Sequence, residues 1–363
     1  MRPACLFTIV MSVASPAYSQ VAGPPAAGAW AVTPDTVVLA AAGVTLPARA
    51  GVTALARTGE FSRPGTGVDN HAQYESGDRQ VFATAYVYRA AYADAALAAY
   101  GTDRAIRGRF GSAIRVAEQG AVTAGGQAGA AIRSVYDGAV LDGAATTTAA
   151  AFVRVDSWIV KLRASGPAER RGEVTAALDA LIAGLAIRPG ARIFAAQPLR
   201  FAAPCPAVRG RDARPMRGEV AKGMALLGGL SGGSGIPSAT AQAAFPANGA
   251  TPVCVRGSVS LGPRAIDLLQ PAGVAEPAVI LGVVTDAGTV IAIEGDPPAR
   301  GYTVKTYGIA EVTTGTTLDR LPAVAQMEGW FRNPDRSPLA ARSRTSFGAD
   351  GNSTVELNSA TLR

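Results

Sequence analysis

Glycine and proline punctuate this chain so densely that whatever it folds into must be rich in turns. The 363 residues include 42 Gly and 24 Pro, about 18% where ordinary usage is roughly 12%. Hydrophobic residues make up 48% and charged residues only 17%, which excludes a disordered polyelectrolyte and a coiled coil and leaves enough apolar material for a core. A chain of this length forms one large domain or two ordinary ones.

The N-terminal segment reads MRPACLFTIVMSVASPAYS. Arg2 precedes an apolar stretch from Ala4 to Ala14, Ser15-Pro16 breaks it, and Ala17-Tyr18-Ser19 puts small residues where a signal peptidase reads them. The pattern predicts a signal peptide over residues 1–19, a mature start at Gln20, and a secreted or periplasmic protein. Cys5 is followed by Leu6-Phe7, unlike the small residues that surround a lipid-bearing cysteine, so no lipid anchor is expected. No later run reaches the roughly eighteen apolar residues of a membrane span. The best, Ala278 to Ile293, is interrupted by Asp286 and Gly288 in a segment, Thr285-Asp286-Ala287-Gly288, that reads as a hairpin turn. Export leaves two cysteines, Cys205 and Cys254, each in a Pro-flanked segment. They are expected to pair, the alternative being two separate buried thiols.

The formal net charge is +7, and only Lys161, Lys222 and Lys305 among the basic residues are lysines. The densest basic group, Arg209, Arg211, Arg214 and Arg217, lies in a segment that reads as an exposed loop. A basic exported protein suits an anionic cell-surface polymer or an envelope protein as partner, whereas no nucleic-acid recognition motif is present.

Residues 20–29 form a Gly/Pro/Ala-rich lead-in. Over residues 30–190 the periodicity is strong. Val81–Arg89 and Phe152–Arg163 are β-branched and aromatic and read as strands, the second with imperfect alternation; Ile132 to Val135 gives a shorter strand, with Asp137-Gly138 or Asp142-Gly143 available for its turn. Two helices punctuate them, one from Tyr92 to about Phe110 and one on the stripe Val174, Leu178, Leu181, Ile182 and Leu185. Residues 191–340 are loop-rich, with strands expected over 253–261, 278–285, 289–294 and 302–306 and short helices over 218–227 and 318–327. Residues 341–363 read as a polar tail. The expected class is α+β: an N-terminal antiparallel sheet packed by two helices, followed by a loop-rich, mostly β second domain.

The succession of strand, helix, strands and long closing helix over residues 35–190, carried by the runs Tyr74–Arg89 and Phe152–Leu185, resembles PsbP-like exported domains and uncharacterised secreted proteins of alphaproteobacteria. That resemblance brings no catalytic motif and implies a binding or assembly module more often than an enzyme.

His71 is the sole histidine, which excludes chemistry needing two imidazoles, multi-His zinc sites included. Gly229-Leu230-Ser231-Gly232-Gly233 matches the nucleophile-elbow pattern, but Gly and Pro follow it and no histidine does. Ser231 is therefore expected to be a loop residue, Lys222 being the only alternative base. The one concentration of titratable groups is Asp69, His71, Glu75 and Asp78, in a segment that reads as a solvated turn feeding the Val81 strand. No cofactor or metal is expected. Two functions stay open: a non-catalytic envelope protein that binds a partner or polymer, and a secreted hydrolase or lyase using the carboxylates near His71.

Overall fold

The computed structural model of the protein describes residues 8–9, 29–62, 65–111, 113–202, 204–206, 212–216, 248–261, 264–296, 301–333 and 337–358. Ser231, Lys222, the glycine run around them and the expected 218–227 helix lie outside the described residues. So do Arg209, Arg211 and Arg217, and all of the expected leader except Thr8–Ile9.

In chain order, Thr8–Ile9 is β1, and Trp30–Val32, Thr36–Leu39 and Val44–Pro47 are β2 to β4. Arg49–Ala50, Thr53–Glu60, Asp69–Ser76 and Phe82–Arg89 are β5 to β8, and Ala95–Phe110 is helix α1. Arg115–Ala124, Gln127–Leu141, Ala144–Val155 and Trp158–Pro167 are β9 to β12, followed by helix α2 at Arg171–Ala183 and β13 at Ala186–Ile187. Beyond the disulfide region come β14 to β19 at Val253–Leu261, Arg264–Pro271, Val279–Val283, Val290–Asp296, Gly301–Tyr307 and Glu311–Leu318. Helix α3 at Val324–Arg332 and strands β20 and β21 at Ser343–Phe347 and Ser353–Leu357 follow, and short 3-10 turns lie at Ala40–Ala42 and Ala168–Arg170.

These strands build three antiparallel sheets. The first is small, in the order β13-β4-β3-β2; the second has eight strands, β5-β6-β7-β8-β12-β11-β10-β9; the third has nine, β1-β21-β20-β19-β18-β17-β16-β15-β14. The expected α+β class, an N-terminal sheet packed by two helices and then a loop-rich second domain, is overturned. Among the described residues strands hold 51% and helices 16%, and the eight-stranded sheet curls into a half-barrel. The excess β comes from segments without a β-branched signature. β6 (TALARTGE), β7 (DNHAQYES) and β9 (RVAEQGAVTA) are polar or small-residue strands whose partners, not their intrinsic propensities, hold them extended. Likewise the expected polar tail contributes β20 and β21.

The run Phe152–Arg163 is two strands rather than one. Asp156 takes φ +50°, and the chain reverses there so that Val155 pairs with Trp158 and Phe152 with Lys161. The flaw in alternation was this reversal. Asp142-Gly143, both at positive φ, makes the β10–β11 turn, whereas Gly138 sits at a bulge inside β10. A Cβ at Gly138 would lie 2.5 Å from the Ala113 carbonyl.

α2 lays Val174, Leu178, Leu181 and Ile182 on one face of the eight-stranded sheet, together with Val37, Leu39, Val44 and Leu46 of the small sheet. α1 lays its alanines on the other face, against Ile132, Ala150, Phe152 and Ile159. Asp94 caps α1, accepting from the backbone N–H of Ala96 (2.8 Å) and Leu97 (3.0 Å). Leu97, Tyr92 and Val68 then join a core with Leu269, Leu281 and Tyr307 of the nine-stranded sheet. No helix among the described residues is long and apolar enough to cross a membrane.

Cys205 and Cys254 form a disulfide, with Cα atoms 5.2 Å apart and a sequence separation of 49. A closed loop of that size restricts the unfolded chain by roughly 4 kcal/mol at the upper end. The double variant Cys205→Ala, Cys254→Ala is expected to lose about 2–4 kcal/mol in urea unfolding. An unfolding midpoint unmoved by the double substitution would contradict this.

Candidate functional site

The Asp69–Asp78 segment is not the expected solvated turn. Asp69 to Ser76 form β7, an interior strand between β6 and β8, and only Gly77 to Arg79 make a turn. Alternation sends Ala72 and Tyr74 into the core and puts Asp69, His71, Gln73 and Glu75 on the opposite face. Three of the four titratable groups, Asp69, His71 and Glu75, are thereby spaced out along an extended chain. Asp69 and Glu75, six residues apart, stand roughly 20 Å apart, beyond the carboxyl separations of glycosidases. Asp78 is held in the turn by Ser76 Oγ (2.6 Å) and the Arg170 guanidinium (2.5 Å), and these bonds, Ser76 first, keep its carboxyl below the usual range. Glu75 pairs with Arg79 at 3.5 Å. The four residues are not brought together as an acid–base set.

Around His71 the structure assembles an aromatic platform instead. His71 pairs across the ladder with Gly59, and a Cβ there would sit 2.6 Å from His71 Cε1, so the missing side chain is what lets the ring lie across its neighbour strand. Phe61 stacks on His71 with centroids 4.4 Å apart, and on Tyr86 at 6.1 Å. The Glu60 carboxylate organises the turn that carries Phe61. It accepts from Ser62 Oγ (2.5 Å), Thr66 Oγ1 (2.7 Å) and the N–H of Gly65 (2.9 Å) and Gly67. Burial alone would push Glu60 up; these hydrogen bonds outweigh it and hold the group below its ordinary value. Burial, and then the nearby Arg57 charge, lower the pKa of His71. Its ring is thus a neutral stacking surface at neutral pH, and its Nδ1 is buried with no carboxylate to orient it.

The register places a polar row beside this platform. Arg57 on β6 opposes Gln73 on β7, Gln73 opposes Thr84 on β8, and Thr84 opposes Arg163 on β12. At about 4.8 Å per strand the two arginines bracket a strip roughly 14 Å wide. Arg57 donates Nε to Gln73 and Arg163 donates Nε to Thr148 at 3.4 Å, and neither is within ion-pair distance of a carboxylate among the described residues. On the far side of the row Phe82 stands 45% exposed, matching Phe61 at 59%. Of the other charges of this face, Glu75 is paired with Arg79, and Asp69 makes no ion pair among the described residues. Lys161, only 6% exposed, pairs with Asp286 at 2.9 Å and lies over the Tyr86 ring at 5.5 Å.

Sequence reasoning found His71 and missed Phe61, Phe82, Tyr86, Arg57, Gln73, Thr84 and Arg163. The available signal was parity: Phe82, Thr84, Tyr86 and Tyr88 alternate on β8 as Asp69, His71, Gln73 and Glu75 do on β7. Among the described residues no three His, Cys, Asp or Glu side chains are gathered as a metal site. No protein-family model matches the chain, and no curated protein matches it.

Burial, and secondly the charge of Glu60, raise Asp69 from 3.8 to about 6. The folded state therefore holds this proton more tightly than the unfolded one. The resulting stabilisation is present below about pH 4 and is lost as pH rises toward 6. Asp69→Asn should remove that loss. Discounted for partial exposure, the variant gains about 1–2 kcal/mol on wild type between pH 4 and pH 7.5, read from urea unfolding midpoints. Superimposable pH profiles would show that Asp69 is not destabilised by its surroundings.

Proposed function

We propose that this is an exported, non-catalytic binding protein that holds an anionic cell-surface polysaccharide against the open face of β6, β7, β8 and β12. One observation carries the reading: the row Arg57, Gln73, Thr84, Arg163 lies between the exposed rings of Phe61 and Phe82, with two arginines that form no direct ion pair among the described residues. Flat rings suit the apolar faces of sugar rings, amide and hydroxyl groups suit their hydroxyls, and guanidinium groups suit their carboxylates. The dispersed carboxylates and unoriented imidazole favour binding over hydrolysis or elimination. The resemblance of residues 35–190 to PsbP-like exported domains points to the same kind of role.

Export is part of this proposal and rests on the leader pattern of residues 1–19 and on a disulfide suited to an oxidising compartment. Cleavage before Gln20 would remove β1 and leave β21 as the edge of the nine-stranded sheet. Mass spectrometry of protein recovered from the envelope and medium of its native host should find Gln20 at the N-terminus; material retaining Met1 would refute export by this route.

Binding is tested by titrating the protein with polygalacturonate and, as a neutral control, dextran. Polygalacturonate should bind, and its affinity should fall as salt rises, because exposed charges are screened within about 10 Å at 0.1 M. Phe61→Ala should cost about 1 kcal/mol, near fivefold. Arg57→Ala with Arg163→Ala should cost at least tenfold and flatten the salt dependence. Equal binding of both polymers, or an unchanged affinity in the arginine double variant, would refute the proposal.

A further inference from the structure

The open face has a direction. Phe61, stacked over His71 and Tyr86, marks one end of a line along β7 and β8, and Phe82 marks the other. Phe82 and Tyr86 lie four residues apart on the same side of β8, about 13 Å at the rise of an extended strand. Between them stand Gln73 and Thr84, half-buried ladder partners, and there the row from Arg57 to Arg163 crosses the line.

A polymer can follow the line but not the row. Beyond Arg163 the next position across the ladder is Ala150, fully buried beneath α1, so a chain laid across the strands runs into the helix. Along β8 both ends are open. Past Phe82 the backbone turns through exposed Gly77 to Gln80, and past Phe61 it turns through exposed Gly65 and Thr66.

Charge is also distributed along the line. Asp69, whose carbonyl accepts from the Phe61 N–H at 2.8 Å, stands at one end, and Glu75, the ladder partner of Phe82, stands at the other. Both arginines sit at the middle. Arg57 is bonded to Gln73, and Arg163 to Thr148 by a long 3.4 Å contact, through Nε in each case, which leaves the outer guanidinium nitrogens as donors for a ligand. Carboxylates of a bound chain are thus attracted at the centre and repelled at the two ends, where flat rings favour the apolar face of a sugar.

We infer that this face, on the polysaccharide reading above, takes four consecutive sugars lying along β8, the first and fourth stacked on Phe61 and Phe82 and the second and third presenting carboxylates to Arg57 and Arg163. The span between the rings sets the number, since about 13 Å is the reach of three glycosidic steps in an extended chain.

Isothermal titration of the disulfide-intact protein with galacturonate oligomers of two to six units tests it. Affinity should climb to the tetramer, with about fivefold gained from trimer to tetramer as the second ring is engaged. From tetramer to hexamer it should rise no more than about threefold, the number of four-sugar registers that a hexamer offers. Phe82→Ala, which removes an exposed ring, should move the levelling point from the tetramer to the trimer, and Phe82→Tyr, which keeps a flat ring, should leave it at the tetramer. An affinity that keeps climbing beyond the register count, a levelling at another length, or a levelling point unmoved by Phe82→Ala would overturn the inference while polygalacturonate binding, and with it the underlying reading, still stands. Failure of polygalacturonate itself to bind would overturn both.

Discussion

Strand β11 is buried on both faces, and the placement of everything else follows from that. Ala149, Ala151 and Val153 face the α2 core, Ala150 and Phe152 face the α1 core, and all five are fully inaccessible. Small side chains at three consecutive positions let a helix approach from either side, and close packing makes any enlargement there costly. With α1 and α2 committed to the centre of the sheet, the strands beyond β12 lose their cover on one face. A single row across the ladder records the change: Ile132 and Phe152 under α1, then Lys161, Tyr86, His71 and Gly59 in succession toward solvent. The platform is the part of a continuous sheet that the helix does not reach.

The nine-stranded sheet is locked to this frame by polar as well as apolar contacts. Lys161 reaches Asp286 in the β16–β17 hairpin, and Arg89 donates to the Gly348 carbonyl. At the junction lies a buried set on adjacent strands, Glu294 with Lys305 (3.0 Å) and Tyr307 (2.5 Å), with Tyr92 set edge-on to Tyr307. A buried ion pair adds little net stability compared with apolar packing, but each partner is costly to strand alone, so the set holds the register of β17 against β18.

How legible all this was depended on which physical signal dominated locally. β8, β16 and β18 carry β-branched and aromatic side chains and could be read directly, as could the cysteine pair. β7 could not. Its sequence, DNHAQYES, has the polarity of a loop, and it is extended because β6 and β8 pair with both its edges, a tertiary fact that propensity does not carry. The Asp156 reversal was hidden because Asp-Ser is a weak turn signal inside a strongly β run. The platform was half legible: His71 stood out by its chemistry, but its meaning depends on Gly59, Phe61 and Tyr86, which only the register brings beside it.

The central claim is that the uncovered half of the eight-stranded sheet is the ligand surface. Hydrogen–deuterium exchange of the mature protein with and without saturating polygalacturonate tests it most directly, because it reports where protection falls without altering any residue. The account predicts added protection in peptides covering the Phe61 turn and the ends of β6, β7 and β8, with α1 and β14 to β21 unchanged. Protection confined to the nine-stranded sheet, or spread evenly over the basic surface, would contradict it.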